Sequence, residues 1–281
     1  MNRLLVGLLS CCLSLSVLAA EPFRLAPPQA MFRESVHLQQ FVRGTLRFVL
    51  LHEAGHGFVD LYDIPVLGRE EDAADRFATW WMGPSESEDG GDAIAAVEWW
   101  LALGEHSELS REQLAWWDEH GIDEQRGYQI ICLLYGTDPQ TMGPLAGRTH
   151  LPEDRRESCI PEAQQNDQSW RAYLSGNTAR APMQLDGFLV PVKYQPAASE
   201  ANQAAASLVQ EWQVLEELAA MLKQFRFPEG EAMIRLVGRE CGTPNAYWSG
   251  DEHTITLCYE LVNLVADVGV AAGFKPEPEA P

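Results

Sequence analysis

The five consecutive residues His52-Glu53-Ala54-Gly55-His56 carry types and a spacing that could do chemistry. Phe48-Val49-Leu50-Leu51 before them and Phe58-Val59 after them make an apolar run that Pro65 closes, and this run predicts a buried helix. On a helix, positions four apart lie one above the other, so both imidazoles can reach one metal ion. Glu53 falls beside the same point. Zinc accepts neutral imidazole nitrogens and, in catalytic sites, keeps a position open for water. A metal ion lowers the pKa of bound water, and a neighbouring carboxylate can take its proton and return it to a leaving group. H-E-x-x-H on a helix therefore points to metal-assisted hydrolysis with Glu53 as general base.

A buried histidine pair could meet by coincidence, and the stretch that weighs against this lies further on. Residues 68–83, Gly-Arg-Glu-Glu-Asp-Ala-Ala-Asp-Arg-Phe-Ala-Thr-Trp-Trp-Met-Gly, read as a second helix stopped by Gly83-Pro84. Glu71 and Asp75 are four apart on it, so one carboxylate can ligate while the other steadies a ligand histidine from behind. Two histidines followed by a glutamate make a His₂Glu set for one Zn²⁺ with its fourth position open. Asp75 stands one turn from Glu71, whereas Glu70 has Ala74 there, which selects Glu71 and leaves Glu70 without a part.

The run from Leu51 to Asp75, LHEAGHGFVDLYDIPVLGREEDAAD, resembles an uncharacterised family of bacterial proteins classed as metallopeptidases, with a zincin-like fold. Ile131-Cys132-Leu133-Leu134-Tyr135-Gly136 with Asp138-Pro139 is similar to it as well. So is the stretch from Glu240-Cys241-Gly242 through Asn245-Ala246-Tyr247 to Cys258-Tyr259-Glu260-Leu261. The resemblance implies a gluzincin-type zinc site with His52, His56 and Glu71 as ligands and Glu53 as base, and it implies no substrate. In that family the Cys-Tyr-Glu strand precedes the H-E-x-x-H helix. Here the order is reversed, which implies a circular permutation.

These residues must be positioned by a chain that begins with an export signal. Arg3, an apolar stretch from Leu4 to Leu18 and the small Ala19-Ala20 read as a signal peptide over residues 1–20, too short to span a bilayer. Leu8-Leu9-Ser10-Cys11 is the competing lipoprotein reading, with a short apolar region ahead of the cysteine. The expected location is periplasmic or secreted, with no membrane span. Residues 21–281 are expected to form a single zincin-like α+β domain, predominantly helical with a small mixed sheet. Its helical metal-binding half covers residues 21–178 and its sheet-bearing half covers residues 185–275.

The net charge of −21 becomes −22 when Arg3 leaves, a surface that repels nucleic acid and anionic lipid. Beyond Cys11 and Cys12, the four cysteines Cys132, Cys159, Cys241 and Cys258 suggest two disulfides in an exported chain. Three pairings are open. Cys132–Cys159 and Cys241–Cys258 are preferred because each bridges neighbouring elements.

Along the chain, helices are expected from about residue 35 to 62 with Gly44 a possible interruption, and over 93–103, 111–119 and 124–135. Gly55 and Gly57 weaken the first of these and make sense if another backbone packs against the metal face. Asp60 either steadies His56 or faces water. The Trp pairs 80/81, 99/100 and 116/117 read as helix packing, His120 as a helix C-terminal residue, and His106 and His253 as surface positions.

Residues 138–151 read as a loop, with Arg148 and His150 candidates, like Tyr128 and Tyr135, for steadying an oxyanion. A helical stretch over 152–174 is expected to break near Pro161. Residues 176–187 read as a hinge, 188–194 as an edge strand and 200–225 as one amphipathic helix. A strand over 233–237 and a hairpin with arms 246–248 and 253–260 follow, then a helix over 261–272 and a Pro/Glu tail. Thr254 to Cys258 is expected to be the substrate-facing edge beside the zinc.

Three functions compete. The first is a zinc metallopeptidase acting on a peptide or protein. The second is a zinc hydrolase of a non-peptide amide, and the third a zinc-stabilised binding module without turnover. A substrate-bearing edge strand favours the first, because extended peptides pair with strand edges.

Overall fold

A computed structural model describes residues 35–84, 91–105, 114, 116–174, 189–225, 227 and 233–274. The predicted signal peptide and lipoprotein box, His106, residues 111–113 and 115 of the expected 111–119 helix, the 176–187 hinge and the C-terminal tail lie outside the described residues. The fold is α+β, mostly helical, with one small mixed sheet.

Helix α1, Val36–Leu61, is the axis. Its residues are apolar on nearly every side, so it is buried nearly all round, and Ser35 caps its start by accepting the Leu38 N–H at 3.2 Å. It runs unbroken through Gly44, where a Cβ would stand 2.7 Å from the Asp92 Cα of a crossing helix. Helix α2, Glu70–Met82, and helix α3, Gly91–Glu105, pack on α1. Helices α4, Asp123–Thr137, α5, Pro139–Arg148, and α6, Glu153–Leu174, build outward from these.

The later part holds β1, Val192–Tyr194, helices α7, Glu200–Trp212, and α8, Val214–Leu222, then β2, Arg235–Arg239, β3, Ala246–Ser249, β4, Thr254–Cys258, and helix α9, Tyr259–Ala271. The sheet order is β1-β2-β4-β3, parallel except for β3 against β4. Leu236, Ile255 and Leu257 are buried, and Tyr259 fixes the sheet by donating its hydroxyl to the Gly238 and Gln195 carbonyls, both at 2.9 Å.

Several expectations are corrected. Residues 139–148 are helical, because Asp138 caps them, accepting the Gln140 and Thr141 N–H groups at 3.1 Å, and Pro139 suits a first turn. Helix α6 runs through Pro161. Buried Cys159, in a disulfide, pins it on one side of the proline, and Ala163, Asn166, Trp170 and Leu174 pin it on the other. The 200–225 segment is two helices, split where Gln213 takes a left-handed φ of 55°.

The described part of 111–119, together with His120, is a turn, and Trp116 and Trp117 are 50% and 83% exposed rather than packed. β1 is an edge strand as expected, but the opposite edge is β3. Thr254–Cys258 is an inner strand paired on both sides, and it runs straight into α9. That helix ends beside the start of α1, with Phe274 stacked on Phe41 at 4.6 Å.

Both preferred disulfides are present, Cys132–Cys159 and Cys241–Cys258. They close loops of 27 and 17 residues, so each should contribute about 3 kcal/mol by loop entropy. Replacing both cysteines of either pair by serine should lower the denaturant midpoint accordingly, and non-reducing peptide mapping should recover no cross-pair. A second expectation concerns Asp267 on α9, whose carboxyl burial pushes up to about 6, with Oδ1 buried and unbonded. A raised acid favours its neutral form in the fold, so stability falls as pH rises from the ordinary carboxylate range to about 6. Asp267→Asn should therefore raise the melting temperature at pH 8 and change it little at pH 3.5, read by thermal unfolding at both values.

Candidate metal centre

The site begins with how closely two helices cross. At Gly55 a Cβ would stand 2.9 Å from the Cα of Ala74, so only glycine lets α2 approach α1 to this depth. The crossing carries Glu70, Glu71 and Asp75 to the imidazole face of α1. Gly57 also leaves room, for the Trp248 ring of β3 rather than for a backbone, with a Cβ there 3.4 Å from the ring.

Each histidine of the pair is held from behind by a carboxylate. His52 Nδ1 lies 2.8 Å from Asp75 Oδ1, and His56 Nδ1 lies 2.7 Å from Glu70 Oε1. A hydrogen bond at Nδ1 fixes the tautomer that leaves Nε2 free to ligate. Both Nε2 atoms turn to Glu71 Oε2, at 3.1 Å from His52 and 3.4 Å from His56, and they lie 3.1 Å from each other. Two ligands of a tetrahedral ion with bonds of 2.0–2.1 Å stand about 3.3 Å apart, so the three atoms fit one small divalent cation. The charge fits as well. Glu53, Glu70, Glu71 and Asp75 converge here, and the permanent cation bonded among them is Arg126.

Arg126 is buried on α4 and grips Asp75 with both ends of its fork, Nε to Oδ2 at 2.8 Å and Nη2 to Oδ1 at 2.7 Å. Its guanidinium lies 3.6 Å from the centre of the Trp100 ring. Burial works against the Asp75 carboxylate, but Arg126 and His52 hold it well below the usual range. Burial likewise opposes Glu71, and His120, His52 and His56 outweigh it. His56 is driven the other way, up to about 10, by Glu70 and Glu71 against its own burial. Burial pushes the Glu53 carboxyl up, with His52 and His56 pulling it back. Glu53 Oε2 also accepts the backbone N–H of Trp248 at 2.8 Å.

His52, Glu53, His56, Glu70 and Glu71 line an open cavity of about 500 Å³, with Asp75 and Arg126 behind it. The facing side chains of α1 and α2 make one wall, Arg69, Glu119 and His120 a second, and Asn245 to Trp248 a third. His120 is therefore a cavity residue. Its Nε2 lies 2.8 Å from Glu71 Oε2 and its Nδ1 3.1 Å from Asp118 Oδ1. No spacing in the sequence points to His120, and the turn that carries it reads as a helix. Arg126 was equally invisible, a lone arginine 51 residues from the carboxylate it grips.

Other candidates are placed elsewhere. Asp60 neither steadies His56 nor merely faces water, because its Oδ2 accepts the Trp248 indole N–H at 2.9 Å. Glu70 is not idle, since it holds His56. None of Tyr128, Tyr135, Arg148 and His150 lines the cavity. Tyr128 donates its hydroxyl to the Thr149 carbonyl, Tyr135 packs half-buried on the core, Arg148 lies 3.5 Å from Glu98, and His150 ends the turn after α5 with φ 56°. The expected loop that was to bring Arg148 and His150 to the site is α5, which packs against α4. His253 is a turn residue with φ 44°, stacked on Trp248.

Residues 23–174 and 194–280 match the family model DUF4344, whose description reads "Putative metallopeptidase", and the chain belongs to this family. No curated protein and no solved structure matches the chain.

Zinc titration should rank the two adjacent glutamates. Glu71→Ala, which removes the oxygen that both Nε2 atoms face, should weaken binding most, and Glu70→Ala, which only frees His56, should cost about 10- to 100-fold. Equal losses, or a greater loss for Glu70→Ala, would reverse the assignment.

Proposed function

We propose that this family member is a zinc-dependent metallopeptidase with one Zn²⁺ held by His52, His56 and Glu71, and Glu53 as its general base. The observation that carries the reading is the place of Glu53. It is buried between the imidazole pair and the backbone of an edge strand, where a carboxylate can serve both a water and a bound peptide. A zinc ion bound there supplies Lewis acidity, which lowers the pKa of water and polarises a carbonyl oxygen.

The chain's own residues do the remainder. Asp75 and Glu70 hold the imidazoles in the ligating tautomer. Arg126 keeps Asp75 ionised. β3 offers a strand edge to an extended substrate. Glu53 takes a proton from water as the new C–O bond forms and passes it to the departing nitrogen as the C–N bond breaks. His120 opens on the same cavity, and we assign it in place of Arg148, His150, Tyr128 and Tyr135 as the donor to the carbonyl oxygen; its Nε2, 2.8 Å from Glu71 Oε2, would turn to that oxygen when Glu71 holds the metal.

A zincin-like arrangement with its halves in swapped order belongs to the same proposal. It is supported by the motif helix lying under an antiparallel edge strand, and by the end of α9 meeting the start of α1. Export to the periplasm or medium is supported by the predicted signal segment and the two disulfides. No helix of the described residues is long and apolar enough to cross a membrane.

Glu53→Gln should retain about one zinc per chain and lose hydrolysis of a random peptide library by at least about 100-fold, because only proton transfer is removed. Metal analysis and mass-spectrometric cleavage mapping measure the two quantities, and wild-type cleavage by the variant would dismiss Glu53 as base.

A further inference from the structure

The geometry points to Trp248 and Asp60 as a positioning pair that sets the edge strand β3 against the base Glu53 and limits the ladder a substrate can form there. The inference rests on the proposed role of Glu53. Trp248 grips one face of α1 twice. Its backbone N–H donates to Glu53 Oε2 at 2.8 Å, and its indole N–H donates to Asp60 Oδ2 at 2.9 Å. Residues 53 and 60 are seven apart, two helical turns, so both acceptors present the same face of α1 to the strand. Two glycines make room for this strut. Gly57 clears the Trp248 ring, and at Gly250 a Cβ would fall 2.5 Å from Asp60 Oδ2.

The strut also decides which main-chain groups of β3 a peptide can use. Residues of an antiparallel strand alternately turn their N–H and C=O towards the partner and away from it. The Asn245 carbonyl accepts the Cys258 N–H at 3.0 Å, so with Tyr247 opposite Thr256 and Ser249 opposite Thr254 the odd positions face β4. Ala246 and Trp248 therefore turn outward, and Ala246 lines the cavity. The N–H of Trp248 is committed to Glu53. A substrate strand finds both an N–H and a C=O only at Ala246, and beyond it only the Trp248 carbonyl. The ladder stops at the base, which places the substrate backbone beside Glu53 instead of letting it slide along the edge.

The test uses zinc-loaded full-length protein and two readouts. In the first, hydrogen exchange of the Trp248 amide is followed in wild type, Asp60→Ala, Asp60→Asn, Trp248→Phe and Gly250→Ala. Asp60→Ala, Trp248→Phe and Gly250→Ala should each speed exchange about tenfold. The double variant Asp60→Ala/Trp248→Phe should add nothing to either change, because both remove the same bond. Asp60→Asn keeps an acceptor oxygen and should exchange like wild type. In the second, turnover of a quenched-fluorescent random peptide mixture should fall about 10- to 100-fold in kcat for Asp60→Ala, with KM and zinc content unchanged, and recover in Asp60→Asn.

Wild-type exchange in Asp60→Ala, or a rise in KM with kcat unchanged, overturns the inference. Cleavage by Glu53→Gln or a zinc-free wild type sinks the proposed function instead, while the exchange result still decides whether the strut exists.

Discussion

Everything at the cavity depends on the approach of two helix backbones at Gly55 and Ala74. Side chains of Glu and Asp are short, and a helix crossing at the usual 8–10 Å axial separation could not deliver three carboxylates to two imidazoles on its neighbour. Removing one Cβ brings α2 close enough for Asp75 to reach His52 at 2.8 Å and for Glu71 to face both Nε2 atoms. Glycine inside a helix costs up to about 1 kcal/mol relative to alanine. That cost is small beside the polar contacts the crossing allows.

Those contacts are themselves expensive to assemble. Asp75, Glu53 and Arg126 are all buried, and an ion taken from water must recover its hydration from fixed partners. Arg126 does this for Asp75 with a two-pronged grip and is itself backed by the Trp100 ring. The chain runs from α3 through α4 and α2 to α1, so four helices share one polar network. This gives the tryptophan pair on α3 two packing roles. Trp99 is buried in the core, and Trp100 turns to the arginine.

The parts legible in the sequence were those written in local periodicity. The α1 and α2 helices, the 246–258 hairpin and the pairing of neighbouring cysteines follow from spacing, and so does Asp75 behind His52, because Glu71 and Asp75 are one turn apart. What escaped depended on partners far along the chain. Arg126 and His120 reach the site from a separate helix and from a turn, and nothing around either residue marks it. The spacing of Asp60 within its own helix relates it only to His56, whereas its partner Trp248 is 188 residues away. Capping at Asp138 outweighed the Pro and Gly content of residues 139–148, so a segment with loop composition folded as a helix. The edge strand was misassigned for a related reason. Parallel pairing of β4 with β2, which makes it an inner strand, and burial of Thr254 and Thr256 on its second face cannot be read from alternation alone.

One staple ties the cavity to its surroundings. Cys241–Cys258 joins the end of β4 to the bend that leads into β3, and Glu260 holds the same bend by accepting the N–H groups of Cys241 at 3.0 Å and Gly242 at 2.7 Å. The wall formed by Asn245 to Trp248 thus hangs in part from a covalent tie that forms in an oxidising compartment and is rare in a reducing one. Without that tie the bend would keep the Glu260 bonds and β3 its ladder to β4, but the junction of bend and strand would lose its one covalent link.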